Sequence, residues 1–347
     1  MVVNWNNWQD TIECLESVLR STHRNFRVFV CDNGSADESL TQMIGWAEGR
    51  LNIWNATSNP LKPFSWPPMP KPVPYFYVSE ESAQYKQPLP TPSVPYVAFF
   101  RTEDNRGFAA GNNIVLRWIT KHSEAEYVWL LNNDCVVDPR AMKGMLDYSI
   151  ARSELSAIGS LLLHYENPTI IQGAGGSYNE WLGHVSHLYA GKSADGEISL
   201  PKIDRCIKFI MGASIFTKRA VFERVGLLSE DYFLFFEELD FFRRFQPAPK
   251  LSCALNSRVF HKGGASTRPR TSTGRDEIIP DYYFTRGKLI FAKRFCPSTL
   301  ASVFIISFIF ALRLMLRGNV RRGTYIIRVL LGIEPPPIAR TTRPRRS

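Results

Sequence analysis

Two hydrophobic periods alternate along the first 260 residues of the chain. Residues 2–5 (Val-Val-Asn-Trp) predict a short first strand, and residues 10–19 place Ile12, Leu15, Val18 and Leu19 on one helical face. Residues 26–31 (Phe-Arg-Val-Phe-Val-Cys) alternate with a period of two and predict a second strand, which Asp32-Asn33-Gly34-Ser35 ends before a helix from about residue 37. Residues 51–54 offer a third strand and residues 96–100 a fourth. Residues 127–131 (Tyr-Val-Trp-Leu-Leu) form a nearly continuous apolar strand, as expected when both sheet faces are covered. Further strands are expected at 157–163, at 207–216 and up to Phe260, and a helix after Pro139. The rhythm predicts an α/β fold: a mostly parallel twisted sheet flanked by helices, with ligands beyond the carboxyl ends of the strands.

Residues 57–95 interrupt this rhythm with eleven prolines, a density that argues against regular helix or central strand. An extended surface insertion within one domain is expected, and its Phe64, Trp66, Tyr75, Phe76 and Tyr77 could line an acceptor groove. The chain divides accordingly into a domain at 1–294, a helical extension at 295–333 and a basic tail at 334–347.

The extension is the least ordinary part of the pattern. Residues 295–312 contain no charge, and residues 304–310 are apolar on every side. Such a helix is buried in protein, lies in a membrane interface or spans, and Pro297 and Arg313 bound a segment of marginal length for a span. Nine arginines against one acid lie between residues 313 and 347, so +8 of the net +10 sits there and the rest of the chain is nearly neutral. That distribution argues against a nucleic-acid-binding face on the main domain and leaves the tail open to any polyanion, including anionic lipid, with attachment to the cytoplasmic leaflet of a membrane the favoured expectation. A hairpin packed on the main domain is the plainer alternative. Six scattered cysteines without CxxC spacing read as reduced core residues. Met1-Val2-Val3-Asn4 has neither a basic start nor a long apolar run, so a cytoplasmic location is expected.

Group transfer from a nucleoside diphosphate needs a grip on the nucleoside, positive charge for the departing diphosphate and a base for the acceptor. Asp32 could accept hydrogen bonds from a pyrimidine or ribose while Trp5 stacks on the base, although Asp32 also suits a turn cap. Asn132-Asn133-Asp134 follows the most buried strand. Asp134 serves equally well as a ligand of Mg²⁺ or Mn²⁺ or as an ordinary turn residue. Glu237-Glu238-Leu239-Asp240 lies among phenylalanines that can raise a carboxyl pKa, which makes Glu238 the general-base candidate. Asp240 and Arg244 are spaced to pair on a helix, and Glu237 has the look of a surface acid. His261 could coordinate a metal or touch a diphosphate.

Taken in order, Val3-Asn4-Trp5-Asn6, Cys31-Asp32-Asn33-Gly34-Ser35, Asn105-Arg106-Gly107-Phe108-Ala109-Ala110-Gly111-Asn112-Asn113, Leu131-Asn132-Asn133-Asp134, Met211-Gly212-Ala213, Phe236-Glu237-Glu238-Leu239-Asp240 and His261 resemble the family 2 inverting glycosyltransferases, especially rhamnosyltransferase-like members. The resemblance implies a GT-A fold and a sugar-nucleotide donor carrying dTDP or UDP. It implies Asn4, Trp5, Asp32, Asn105, Gly107, Gly111, Asn132 and Asn133 at the donor, Asp134 and His261 on a divalent cation, Mg²⁺ or Mn²⁺, and Glu238 as the base. The implied acceptor is a glycan or a lipid-linked sugar. Two positions depart from the family pattern: Asn132 stands where relatives often carry a second aspartate, and Glu238 where they usually carry aspartate.

Overall fold

The computed structural model describes residues 1–51, 59–78, 96–263 and 278–333. In chain order the first half runs β1 (Val2–Asn4), α1 (Trp8–Val18), β2 (Val28–Asn33), α2 (Ser39–Glu48), α3 (Lys62–Ser65), β3 (Tyr75–Val78), β4 (Val97–Thr102), α4 (Phe108–His122), β5 (Tyr127–Asn132), β6 (Cys135–Val137), α5 (Ala141–Ala151) and β7 (Ala157–His164). The second half runs β8 (Ile171–Gly173), β9 (Gly176–Asn179), β10 (His184–His187), α6 (Leu200–Cys206), β11 (Ser214–Lys218), α7 (Arg219–Val225), α8 (Glu237–Arg243), β12 (Leu251–His261), α9 (Ile278–Phe295), α10 (Leu300–Leu316) and α11 (Val320–Leu330).

The main sheet has the order β3-β4-β2-β1-β5-β11-β7-β12-β6, with β8 paired to β7. Strands β3 to β5 in that order are all parallel, β11 is antiparallel between β5 and β7, and β12 runs parallel to β7. Helices cover both faces, so the central strands are apolar throughout; Val30, Cys31, Val97, Ala98 and Phe99 have no measurable exposure. Parallel register then aligns the polar strand ends along one edge. Asn4 lies opposite Asp32, Asn33 opposite Thr102, and Val3 opposite Asn132. On the far side β6 turns back antiparallel to β12 and sets Cys135 opposite His261, beside Asp134.

Several expectations need correction. The proline-rich stretch holds a short helix, α3, because Pro63 sits in its first turn where no backbone N–H is required. It also adds β3 to the sheet, at the edge where prolines are tolerated. The strand expected at 207–216 forms only from Ser214, since the Ser214 N–H bonds the Met211 carbonyl and closes a turn. Asp134 leads first into β6 and only then into α5. The strand expected at 51–54, most of the proline-rich stretch beyond Val78 and the tail lie outside the described residues.

Candidate active site

Asp32, the residue expected to grip a nucleoside, is 1% exposed at the end of β2. Its Oδ1 accepts from Asn4 Nδ2 at 3.0 Å and from the Ser35 hydroxyl, while Oδ2 has no hydrogen-bond partner among the described residues and lies 3.9 Å from Arg101 Nε. Burial raises its pKa against the opposing bonds from Ser35 and Asn4. Asn4 is wholly buried and its amide is fully engaged, since Thr11 Oγ1 donates to Asn4 Oδ1 at 2.8 Å. It acts through Asp32 rather than on a ligand. Trp5 is half-buried in the turn that follows, where Asn6 Oδ1 accepts from the Ala36 N–H.

The Asn105–Asn113 motif frames the next wall. Asn33 Nδ2 donates to Asn105 Oδ1 at 3.1 Å and to the Gly107 carbonyl at 2.9 Å, and Asn105 Oδ1 also accepts from the Gly107 N–H. Gly107 has φ +91°, and a Cβ there would lie 2.4 Å from the Phe233 carbonyl oxygen, which accepts from the Phe108 N–H at 2.8 Å. Gly111 lets α4 approach β1, since a Cβ would fall 2.9 Å from Val3 Cγ1. Both glycines thus build the wall by close packing, and Asn113 is spent on the Leu228 backbone and Glu230.

The candidate metal centre lies at the ends of β5 and β12. Asp134 Oδ1 is 3.1 Å from His261 Nε2, and Asn132 Nδ2 is 3.4 Å from the same nitrogen. His261 Nδ1 lies 2.7 Å from Gln172 Oε1. A carbonyl oxygen at Nδ1 requires a proton there, so Nε2 offers either a proton to Asp134 or a lone pair to a cation. Asn132 Oδ1 is buried with no hydrogen-bond partner among the described residues. Cis ligands on an octahedral ion with ~2.1 Å bonds are ~3 Å apart, which the Asp134–His261 separation matches. Asp134, Cys135 and His261 together could hold a metal ion. Cys135, however, is held well above the usual thiol range, first by burial and then by Asp134, and its thiol points to the Ala213 carbonyl. A neutral thiol is a poor ligand for a hard cation, so the oxygen and imidazole donors fit Mg²⁺ or Mn²⁺. Asn133 is used structurally, donating to Thr11 Oγ1.

Glu238 occupies the first turn of α8, entered through two non-glycine residues at positive φ, Phe235 (+65°) and Phe236 (+73°). Burial raises its pKa to about 7 against opposing backbone N–H groups of Glu238 and Gly212, and Oε2 has no partner among the described residues. A Cβ on Gly212 would lie 3.7 Å from Glu238 Oε1 and 3.8 Å from the Phe108 ring, so the base candidate, the donor-side wall and this turn meet. The next residue, Ala213, accepts from the Asn132 N–H. Glu237 is buried at 4% exposure, not the surface acid expected, and its carboxyl is pushed up by burial and by Glu238. Asp240 pairs with Arg244 at 2.8 Å as expected, and Arg294 takes its other oxygen.

Residues 1–56 match the glycosyl transferase family 2 model. The match covers β1, α1, β2 and α2. Among solved structures, GalNAc-T7 with UDP, GalNAc and Mn²⁺ superposes with a TM-score of 0.50 at 15% identity, over 83% of this chain and 49% of that one. This chain therefore spans about half the length of that protein. The mannosyltransferase PcManGT from Pyrobaculum calidifontis, in complex with GDP-Man and Mn²⁺, gives a TM-score of 0.50 at 12% identity, over 96% of this chain and 85% of that one. These likenesses, with the mixed and mostly parallel sheet, establish the GT-A fold. No curated protein sequence matches the chain.

The structure adds residues that the pattern did not single out. Gln172, Arg101 and Lys262 each touch a predicted site residue. Lys262 donates to Asp10 and Glu13, both at 2.5 Å, and its backbone N–H bonds the Asp134 carbonyl, tying the centre to α1. Burial lowers its pKa, but Glu13 and Asp10 outweigh it and the net shift is upward. A cavity of ≈ 580 Å³ opens at the amino ends of β1, β2 and β5, lined by Val2, Val28 and Tyr127 among others, and is unrelated to this cleft.

Proposed function

We propose that the chain is an inverting glycosyltransferase that moves a sugar from a nucleoside diphosphate donor to a hydroxyl acceptor. The observation that carries the reading is the Asp134–His261 pair beside Asn132, whose N–H bonds Ala213, next to Gly212 against Glu238, with Asn132 Oδ1 and Glu238 Oε2 buried and without a partner among the described residues. Buried polar atoms without partners cost stability and are retained where a ligand supplies the missing contact.

In this reading Asp32 and Trp5 hold the nucleoside, with Arg101 3.9 Å from Asp32 opposing the upward pull of burial on its pKa. Asp134 and His261 hold a divalent cation, and Gln172 fixes the imidazole. When bound, that cation supplies positive charge for the departing diphosphate. Glu238 takes the proton from the acceptor hydroxyl as its oxygen bonds the anomeric carbon and the bond to the diphosphate breaks, which inverts the configuration. The resemblance to rhamnosyltransferase-like sequences makes a dTDP- or UDP-linked rhamnose the first donor to test, with a lipid-linked or polysaccharide acceptor on the cytoplasmic face of a membrane.

The test is a panel of sugar nucleotides with Mn²⁺ or Mg²⁺, read by donor hydrolysis and by transfer. Asp134→Ala is expected to abolish both. Turnover unchanged by Asp134→Ala, or donor binding without any turnover in the unaltered protein, sinks the proposal.

A further inference from the structure

An apolar surface assembled from two distant parts of the chain is unused by this chemistry. Helix α10 turns Val303, Ser307 and Ala311 inward, four residues apart. Lys288 Nζ lies 3.4 Å from Ser307 Oγ, and a Cβ on Gly323 of α11 would meet the Ala311 carbonyl at 2.5 Å. The opposite face is Ile305, Ile309, Leu312 and Leu316, with Leu316 88% exposed. Beside it lies the tip of the β9–β10 hairpin, where Trp181 and Leu182 are also exposed, Trp181 by 62%. The Ser302 hydroxyl donates to the Trp181 carbonyl at 2.8 Å, and Glu180 pairs with Arg243 at 3.2 Å. Ser302 precedes Ile309 by seven residues, two helical turns, so the hairpin tip adjoins the outward apolar stripe.

Charge selects the occupant of this surface. Residues 295–333 contain no acid, and Arg313, Arg317 and Arg321 are exposed towards the end of α10 and the start of α11. Apolar side chains in one plane beside a row of cations match a bilayer leaflet rich in anionic lipid, and tryptophan favours the interfacial depth. The segment Pro297–Leu316 has the length and apolarity to cross a membrane. A crossing would strip α10 from α9 and α11, and would break the hydroxyl bond to the hairpin tip.

We propose that the hairpin tip Trp181–Leu182 and the outer face of α10 enter one anionic leaflet together, with α10 in the membrane plane and the arginines at the headgroups. This rests on the membrane-side placement proposed above and adds the second anchor, which orients the GT-A domain rather than merely tethering it.

Sedimentation of the full chain with phosphatidylglycerol–phosphatidylcholine vesicles, compared with phosphatidylcholine alone, tests it. Binding is expected to be about tenfold stronger on the anionic vesicles and to weaken with salt. Trp181→Ser alone, and Ile305→Asn with Ile309→Asn, are each expected to lower partitioning by about tenfold or more. Brominated lipids should quench emission in the unaltered protein and do so less in Trp181→Phe, a readout that no folding defect mimics. Absence of vesicle binding, binding indifferent to both variants, or resistance to alkaline carbonate extraction overturns the proposal; so does self-association that Ile309→Asn abolishes. Donor hydrolysis without vesicles is measured in parallel, so loss of the catalytic reading is separately visible.

Discussion

At the carboxyl ends of β1, β2 and β4, the buried polar atoms are almost all bonded to one another: Asn4 to Asp32, Ser35 and Thr11, and Asn33 to Asn105 and Gly107. Around β5, β12 and the start of α8, Asn132 Oδ1, Glu237 Oε2 and Glu238 Oε2 are buried without hydrogen-bond partners among the described residues. The first region spends most of its polar groups on shape and leaves one oxygen, Asp32 Oδ2, without a hydrogen bond among the described residues, whereas the second leaves several. Under the proposed function, a largely closed network would form a rigid cradle for a nucleoside, whereas open valences near a carboxylate–imidazole pair are suited to a cation and a reacting hydroxyl.

The strongest way to break this contrast is Glu238→Gln. Loss of a general base is expected to lower transfer by roughly 10²–10⁴-fold while donor affinity, measured by calorimetry, stays nearly constant. Equal losses in turnover and donor binding would place Glu238 in the cradle instead. Gln172→Leu should weaken Mn²⁺ binding by about 10–100-fold, followed by the paramagnetic signal of free Mn²⁺, because the imidazole loses the group that fixes its proton. Asn4→Leu probes the other side: it leaves Asp32, Ser35 and Thr11 short of a partner and should cost about 1–3 kcal/mol of stability in urea unfolding, with Mn²⁺ binding unaffected. The smallest effect is graded. With Glu238 titrating at about 7, transfer should fall about tenfold per pH unit below that value and level off above it. Its folded pKa is raised, so from the ordinary glutamate range up to about 7 the unfolded chain releases the proton first, and this group's contribution to stability declines as pH rises.

Most of the scaffold was legible because period-two and period-3.6 patterns report burial directly. Strands at β2, β5 and β7 and helices at α1 and α5 stand where the pattern puts them. Contacts between distant strand ends were not legible from periodicity. Gln172 reaches His261 across 89 residues only because β7 pairs with both β8 and β12. The burial of Glu237 likewise depends on the left-handed Phe235–Phe236 pair that turns α8 inward, and no propensity announces two phenylalanines at positive φ. The exposed Trp181 was invisible for the opposite reason: a single aromatic in a polar hairpin carries no period, and its neighbour in space is a helix 121 residues away.

Gly107 sits so tightly on the Phe233 carbonyl that the turn at residues 105–107 and the segment leading into Glu238 are in direct backbone contact. If a donor nucleotide settles against the first, as the proposed function has it, the movement would be passed to the second. Under the proposed function, this contact predicts an obligatory sequence of binding, donor ahead of acceptor, with the nucleotide product competing against the donor alone. Loosening that seat with a side chain at position 107 would turn the order random before it abolished turnover.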